Sequence, residues 1–168
     1  MRPLFFDQPI ERVVFGVACA IWYMPELLGT FFQRAARRNG TCHDCGSYAV
    51  LIGVLWIGLL LGFGIAALVP WAAIRVLRRP LFWLGIAGIL AGVAVRWYAI
   101  RVLGRFFTRD VATQLGQIIV QEGPYRFFRH PAYSGILLTL LGIGLALGNW
   151  PALLVVLIGG VVGHLYRG

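Results

Sequence analysis

The chain alternates long apolar runs with short clusters rich in arginine. A first run extends from about Val13 to Phe32, is interrupted at Pro25-Glu26, and is closed by Arg34, Arg37 and Arg38. The second, Tyr48 to Val69, holds 22 residues without a charge. As a helix rising ~1.5 Å per residue it crosses a hydrocarbon core of ~30 Å. Trp71, Arg75, Arg78, Arg79 and Pro80 make the next polar cluster, and a third run follows from Leu81 to about Ile100 with Arg96 near its end. A fourth covers Ala132 to Gly148; Asn149-Trp150-Pro151 breaks it, and a fifth, shorter run continues to Leu165. So tight a break between two apolar runs predicts a helical hairpin. Between the third and fourth runs, residues 101–131 are too polar to span, carrying Arg101, Arg105, Arg109, Asp110, Glu122, Arg126, Arg129 and His130 among aromatics. No repeat recurs at a fixed period.

Composition strengthens this reading. Of the 168 residues 60% are hydrophobic and 12% charged, with a mean hydropathy of +0.81. An ordinary soluble domain is about half apolar and about a quarter charged. The values exclude a disordered chain and point to an all-α polytopic membrane protein with about five transmembrane helices. Residues 1–168 are expected to form a single integral membrane domain. No cleavable signal peptide is expected, because the first apolar run is followed by arginines and not by small residues.

Charge then sets an orientation. The net charge of +9 comes from 15 basic residues, all of them Arg, against 6 acidic ones. The arginines sit in short segments between apolar runs, which fits topology signals and anionic headgroups rather than nucleic acid. Five alternating spans put nine arginines (34, 37, 38, 101, 105, 109, 126, 129 and 167) on one side and five (2, 12, 75, 78 and 79) on the other. The positive-inside bias places residues 101–131 and the C-terminus in the cytoplasm and the N-terminus outside.

Several single features have plain structural readings. Cys19 lies in an apolar run and packs. Cys42-His43-Asp44-Cys45 holds one C-x-x-C pair, and zinc needs four ligands, so no metal site is expected. Asp44 and Ser47 are placed to cap the second span. His164, alone on an apolar run, reads as a hydrogen-bonded packing histidine. Gly142, Gly144, Gly148, Gly159 and Gly160 are spaced for close helix contact in lipid. Glu26 is either a buried functional carboxylate or a group near the headgroups. Arg96 either snorkels to the interface or serves the mouth of a site.

The segment that carries chemistry is Gly123-Pro124-Tyr125-Arg126-Phe127-Phe128-Arg129-His130-Pro131-Ala132-Tyr133-Ser134-Gly135. Gly123-Pro124 punctuates the chain, and Pro131 suits the first turn of the next helix. Free N–H groups at that helix start can receive an anion. His130 can donate, accept or carry a proton near neutral pH. Tyr125 and Tyr133 offer π faces and hydroxyls. A membrane-surface anchor of Arg, Tyr and Phe explains the same composition.

Arg129-His130-Pro131-Ala132-Tyr133-Ser134-Gly135, preceded by Gly123-Pro124-Tyr125-Arg126, resembles the signature of the isoprenylcysteine carboxyl methyltransferase and phospholipid methyltransferase superfamily. The resemblance extends through Arg96-Trp97, Leu103-Gly104 and Phe107-Thr108 to Gln117-Ile118-Ile119-Val120, and to Asp44 with Gly46-Ser47, covering about residues 44–150. It implies an S-adenosylmethionine-dependent methyltransferase without a Rossmann domain, its cofactor beside the cytosolic face and its acceptor a lipid-like or small carboxyl, thiol or amine compound. Similarity to bacterial members implies a bacterial inner membrane.

Carried over residue by residue, Gln117, Ile118, Ile119, Val120, Tyr125, His130, Pro131, Ala132 and Tyr133 would bind the cofactor, with Asp110 as a further candidate. Gln117 stands where some relatives have a polar aromatic residue. No residue is assigned a catalytic proton-transfer role, since methyl transfer from a sulfonium needs placement more than acid-base help.

In the family a cytosolic helix with an Arg and a Glu-Glu pair follows the last span. This chain stops at Tyr166-Arg167-Gly168, and Arg167 falls about two residues short of the family arginine. The expectation is that this chain turns over slowly or not at all. Sterol-type NADPH reductases share a similar His-Pro-x-Tyr region but usually place a Glu after the Gly, where this chain has Ile136. A non-catalytic relative that binds lipid or a partner is the third reading.

Overall fold

The structure, a computed structural model, describes residues 3–36, 47–103, 123–126 and 130–166. All regular structure among them is helical: α1 (Leu4–Asp7), α2 (Pro9–Ala36), α3 (Ser47–Leu68), α4 (Arg78–Leu103), α5 (Pro131–Leu147) and α6 (Trp150–Leu165), with short 3-10 turns at Pro70–Ala72 and Gly123–Arg126. By length and composition, Val50–Leu68 and Arg78–Val102 can each cross a membrane. The apolar helices α5 and α6, with 17 and 16 residues, are shorter.

Most elements fall where the apolar runs placed them, and α2 is the exception. The expected interruption at Pro25 is absent, and the helix runs unbroken for 28 residues. Proline removes one backbone donor. One lost donor leaves the remaining i to i−4 bonds of a 28-residue helix to carry it through.

Glycines set which helices touch. α4 and α5 run antiparallel along Gly85, Gly88 and Gly92 on one side and Gly135 and Gly142 on the other. A Cβ on Gly142 would lie 2.6 Å from Gly85 O and from Ile89 N. A Cβ on Gly135 would lie 2.7 Å from Gly92 O and 2.8 Å from Arg96 N. Only backbone fits there, which is the close approach that small residues allow. α3 and α6 form the second tight pair, where Gly58 faces Gly159 and Gly62 faces Val156. Gly144 packs against Leu153 inside the α5–α6 hairpin. Gly148 has a different role from the packing expected of it. At φ 60° it is the left-handed residue that ends α5, with its N–H bonded to Leu145 O.

Two ends follow from this topology. At one, Asn149 is 1% exposed; its Oδ1 accepts from Ala152 N at 3.2 Å, and its Nδ2 donates to Val69 O at 2.9 Å. Ile74 N donates to Gly148 O at 2.8 Å beside it, so the α3–α4 connection lies against the hairpin turn. α1 closes the same end: Arg78 pairs with Asp7, and Phe5 stacks on Phe15 at 4.6 Å between ring centroids. Phe63 and Phe82 complete that aromatic cluster. The other end gathers the C-terminus of α4, the turn at Gly123–Arg126, the start of α5 and the last turn of α6.

Candidate functional site

His130 precedes α5, and Pro131 opens it, where a missing N–H costs nothing. The His130 carbonyl accepts from Tyr133 N at 3.0 Å and Ser134 N at 3.2 Å. Those two N–H groups are therefore used within the turn, which removes them from the anion-binding role the sequence allowed. Pro131 and Ala132 are buried against α4. Both stand among the expected cofactor-binding residues, and the Ala132 carbonyl accepts from Arg96 of α4.

The rings of this turn are ordered. His130 and Tyr133 stack with centroids 5.5 Å apart and planes at 19°. Tyr133 also meets His164 of α6 at 4.7 Å and 73°. His164 is 8% exposed, with Nδ1 2.7 Å from Gly160 O. A carbonyl only accepts, so Nδ1 carries the proton and donates it one turn back. The expected hydrogen-bonded packing histidine is found, and it also touches the site. Sequence reasoning missed that second role. The hairpin held the signal: Tyr133 lies fifteen residues before Gly148, and His164 lies fifteen after Asn149.

Arg96 ends the glycine seam of α4, one turn beyond Gly92. It is 8% exposed, and its Nη1 donates to Ala132 O at 3.3 Å. The structure therefore favours the site over the interface for this side chain. Burial pushes the Tyr125 phenol above its ordinary value, and the nearby Arg96 guanidinium pulls it down. Gly123 begins the turn that carries Tyr125; its φ is +58°, and a Cβ there would lie 3.1 Å from Tyr98 Oη and from Val102. The turn thus lies on the last turns of α4. Arg101 sits over the Trp97 ring at 5.9 Å.

Gln117, Ile118, Ile119, Val120 and Asp110 lie outside the described residues, as do Asp44, Cys42 and Cys45. Of the nine expected cofactor residues, Tyr125, His130, Pro131, Ala132 and Tyr133 are described, and all five belong to this end. Asp7 and Glu11 belong to the opposite end, on α1 and the first turn of α2, and the Glu26 side chain lies outside the described part of the chain. Ring faces attract soft cations, and a buried guanidinium attracts carboxylates. The set is suited to a ligand bearing both.

Residues 83–167, half of the 168-residue chain, match the sequence model of the isoprenylcysteine carboxyl methyltransferase (ICMT) family. The match contains α5, α6 and nearly all of α4. A Bacillus subtilis (strain 168) relative, Uncharacterized protein YpbQ, is 35% identical over 65 residues, which are 38% of this chain and 39% of that protein. The matched part thus spans about two fifths of the relative's length. No solved structure matches the chain at comparable significance.

Proposed function

The chain belongs to the isoprenylcysteine carboxyl methyltransferase family, and from that premise we propose that it is an S-adenosylmethionine-dependent methyltransferase working at a membrane face. The family supports a membrane methyltransferase-like protein; the cofactor, the acceptor and the residues named below are our reading. The observation that carries it is the convergence of His130, Tyr133, Tyr125 and Arg96 where α4 ends and α5 begins.

These residues fit the cofactor by the chemistry they offer. Tyr133 and Tyr125 present π faces to a sulfonium. Arg96 and His130 supply donors for a carboxylate. When bound, S-adenosylmethionine supplies an electrophilic methyl group that leaves its sulfur as the acceptor's lone pair forms the new bond. The chain's part is placement. Pro131 and Ala132 seat the first turn of α5 on α4, which fixes Tyr133 relative to Arg96. Effective transfer needs reacting atoms held within about 3–3.5 Å and in line. Gln117, Ile118, Ile119 and Val120 complete the cofactor contacts in this reading. The acceptor is lipid-like or a small carboxyl, thiol or amine compound that reaches the site along the apolar helices.

In the same reading α2 to α6 are five spans. The site end faces the cytoplasm of a bacterial inner membrane, and the N-terminus lies outside. Calorimetric titration of the detergent-purified chain with S-adenosylmethionine and with NADPH tests the proposal. Binding of the first alone supports methyl transfer; binding of NADPH points to a reductase.

A further inference from the structure

We propose that His164 is a positioning residue that makes the site prefer a sulfonium donor over the neutral thioether left after transfer; this rests on the cofactor reading above. Tyr133 contacts two imidazoles, and their constraints differ. His130 stacks on it from an exposed position ahead of the helix. His164 meets it at 73° from a buried position on another helix.

The His164 ring is itself buried and tied to its own helix, in a part of α6 that packs closely on its neighbours. Its Nδ1–H is tied to Gly160 O at 2.7 Å. At Gly160, a Cβ would come within 2.5 Å of Leu140 Cδ1, so α6 is pressed to α5 one turn below the ring. At Gly163, a Cβ would come within 2.8 Å of Leu51 Cδ1, so α3 packs closely on α6 beside this residue. A side chain fixed this way acts as a wall for Tyr133, whose own freedom is two torsions.

Ring orientation decides what Tyr133 can offer. An aromatic ring is negative on its face and positive at its edge, so attraction to a cation changes sign as the ring turns. A neutral thioether of the same shape gains little from either orientation. Fixing the plane of Tyr133 therefore separates the two ligands by charge, and the separation favours donor binding and product release. His164 touches neither ligand in this account; it acts through Tyr133.

The test compares dissociation constants of S-adenosylmethionine and S-adenosylhomocysteine, by calorimetry on the full chain in detergent. Wild type binds the charged ligand more tightly. His164→Leu reduces that preference by about threefold to tenfold, the range of one partly desolvated cation–π contact. His164→Phe, which keeps a ring, retains more of the preference than His164→Leu. Should His164→Leu not be recovered folded, His164→Asn, with an amide and no ring, carries the same expectation. Equal weakening of both ligands marks a merely structural role and overturns the proposal. So does an unchanged preference in His164→Leu alongside its loss in Tyr133→Leu. Wild type binding both ligands equally overturns the proposal while the cofactor reading stands. Wild type binding neither overturns both.

Discussion

Arg96 of α4 and Ala132 of α5 are joined by a 3.3 Å hydrogen bond from Nη1 to the carbonyl oxygen, inside a contact that leaves the arginine 8% exposed. The same guanidinium acts on the Tyr125 phenol, lowering a pKa that burial raises. The sign of a substitution follows. Removing the cation in Arg96→Leu leaves burial as the main influence, so the Tyr125 phenol moves further up. Tyrosinate absorbance titration, with Tyr125→Phe to identify the signal, should show one ionisation displaced to higher pH. Displacement to lower pH contradicts the placement of Arg96. Because the folded phenol titrates above its ordinary value, any stability tied to it is lost only as pH rises past the ordinary tyrosine range of about 10.

The glycine seam predicts opposite outcomes for one kind of substitution. Gly135→Ala puts a Cβ 2.7 Å from Gly92 O and 2.8 Å from Arg96 N, both backbone atoms that cannot step aside. Overpacking of this kind costs about 1–3 kcal/mol. Gly53→Ala, in the interior of α3, meets nothing within 4 Å. It should be neutral or stabilising by about 0.5–1 kcal/mol through helix propensity. Unfolding in detergent under graded denaturant measures both.

Asn149 is expected to hold the far end together. Asn149→Ala removes the cap on Ala152 N and the bond to Val69 O at a 1% exposed position. Loss of a cap costs about 0.5–2 kcal/mol, and loss of the bond to the partly buried Val69 carbonyl adds about 0.5–1.5 kcal/mol. Asn149→Ser keeps a capping oxygen and loses only the Val69 bond, so it should fall between wild type and Asn149→Ala in the same assay.

Much of the helical layout is legible in the sequence alone. The uncharged run read as Tyr48 to Val69 is α3, Ser47–Leu68, because nothing within it competes with burial. The hairpin followed from Asn149-Trp150-Pro151, where a capping side chain and an N-terminal proline stand together. Other features depend on partners distant in sequence. Pro25 reads locally as a break, yet its helix continues. Arg96 reads equally as snorkelling or buried until Gly92 and Gly135 bring α5 against it. His164 reads as an isolated polar residue until the hairpin folds it onto Tyr133.

The orientation we propose separates two positions. Single cysteines introduced at Pro3 and Gln121, with the native cysteines replaced, should label from opposite sides of intact inner membranes, Pro3 from outside. Labelling of both from one side contradicts the five-span reading.

The central claim is that the start of α5 holds a sulfonium cofactor, and the most direct measurement is calorimetric titration of the detergent-purified chain with S-adenosylmethionine. The account predicts saturable binding, no binding of NADPH, and weaker binding in both His130→Ala and Tyr133→Ala. For Tyr133→Ala the loss should be about threefold to thirtyfold, the worth of one partly desolvated cation–π contact. Wild-type affinity retained in both variants, or no binding by wild type, contradicts it.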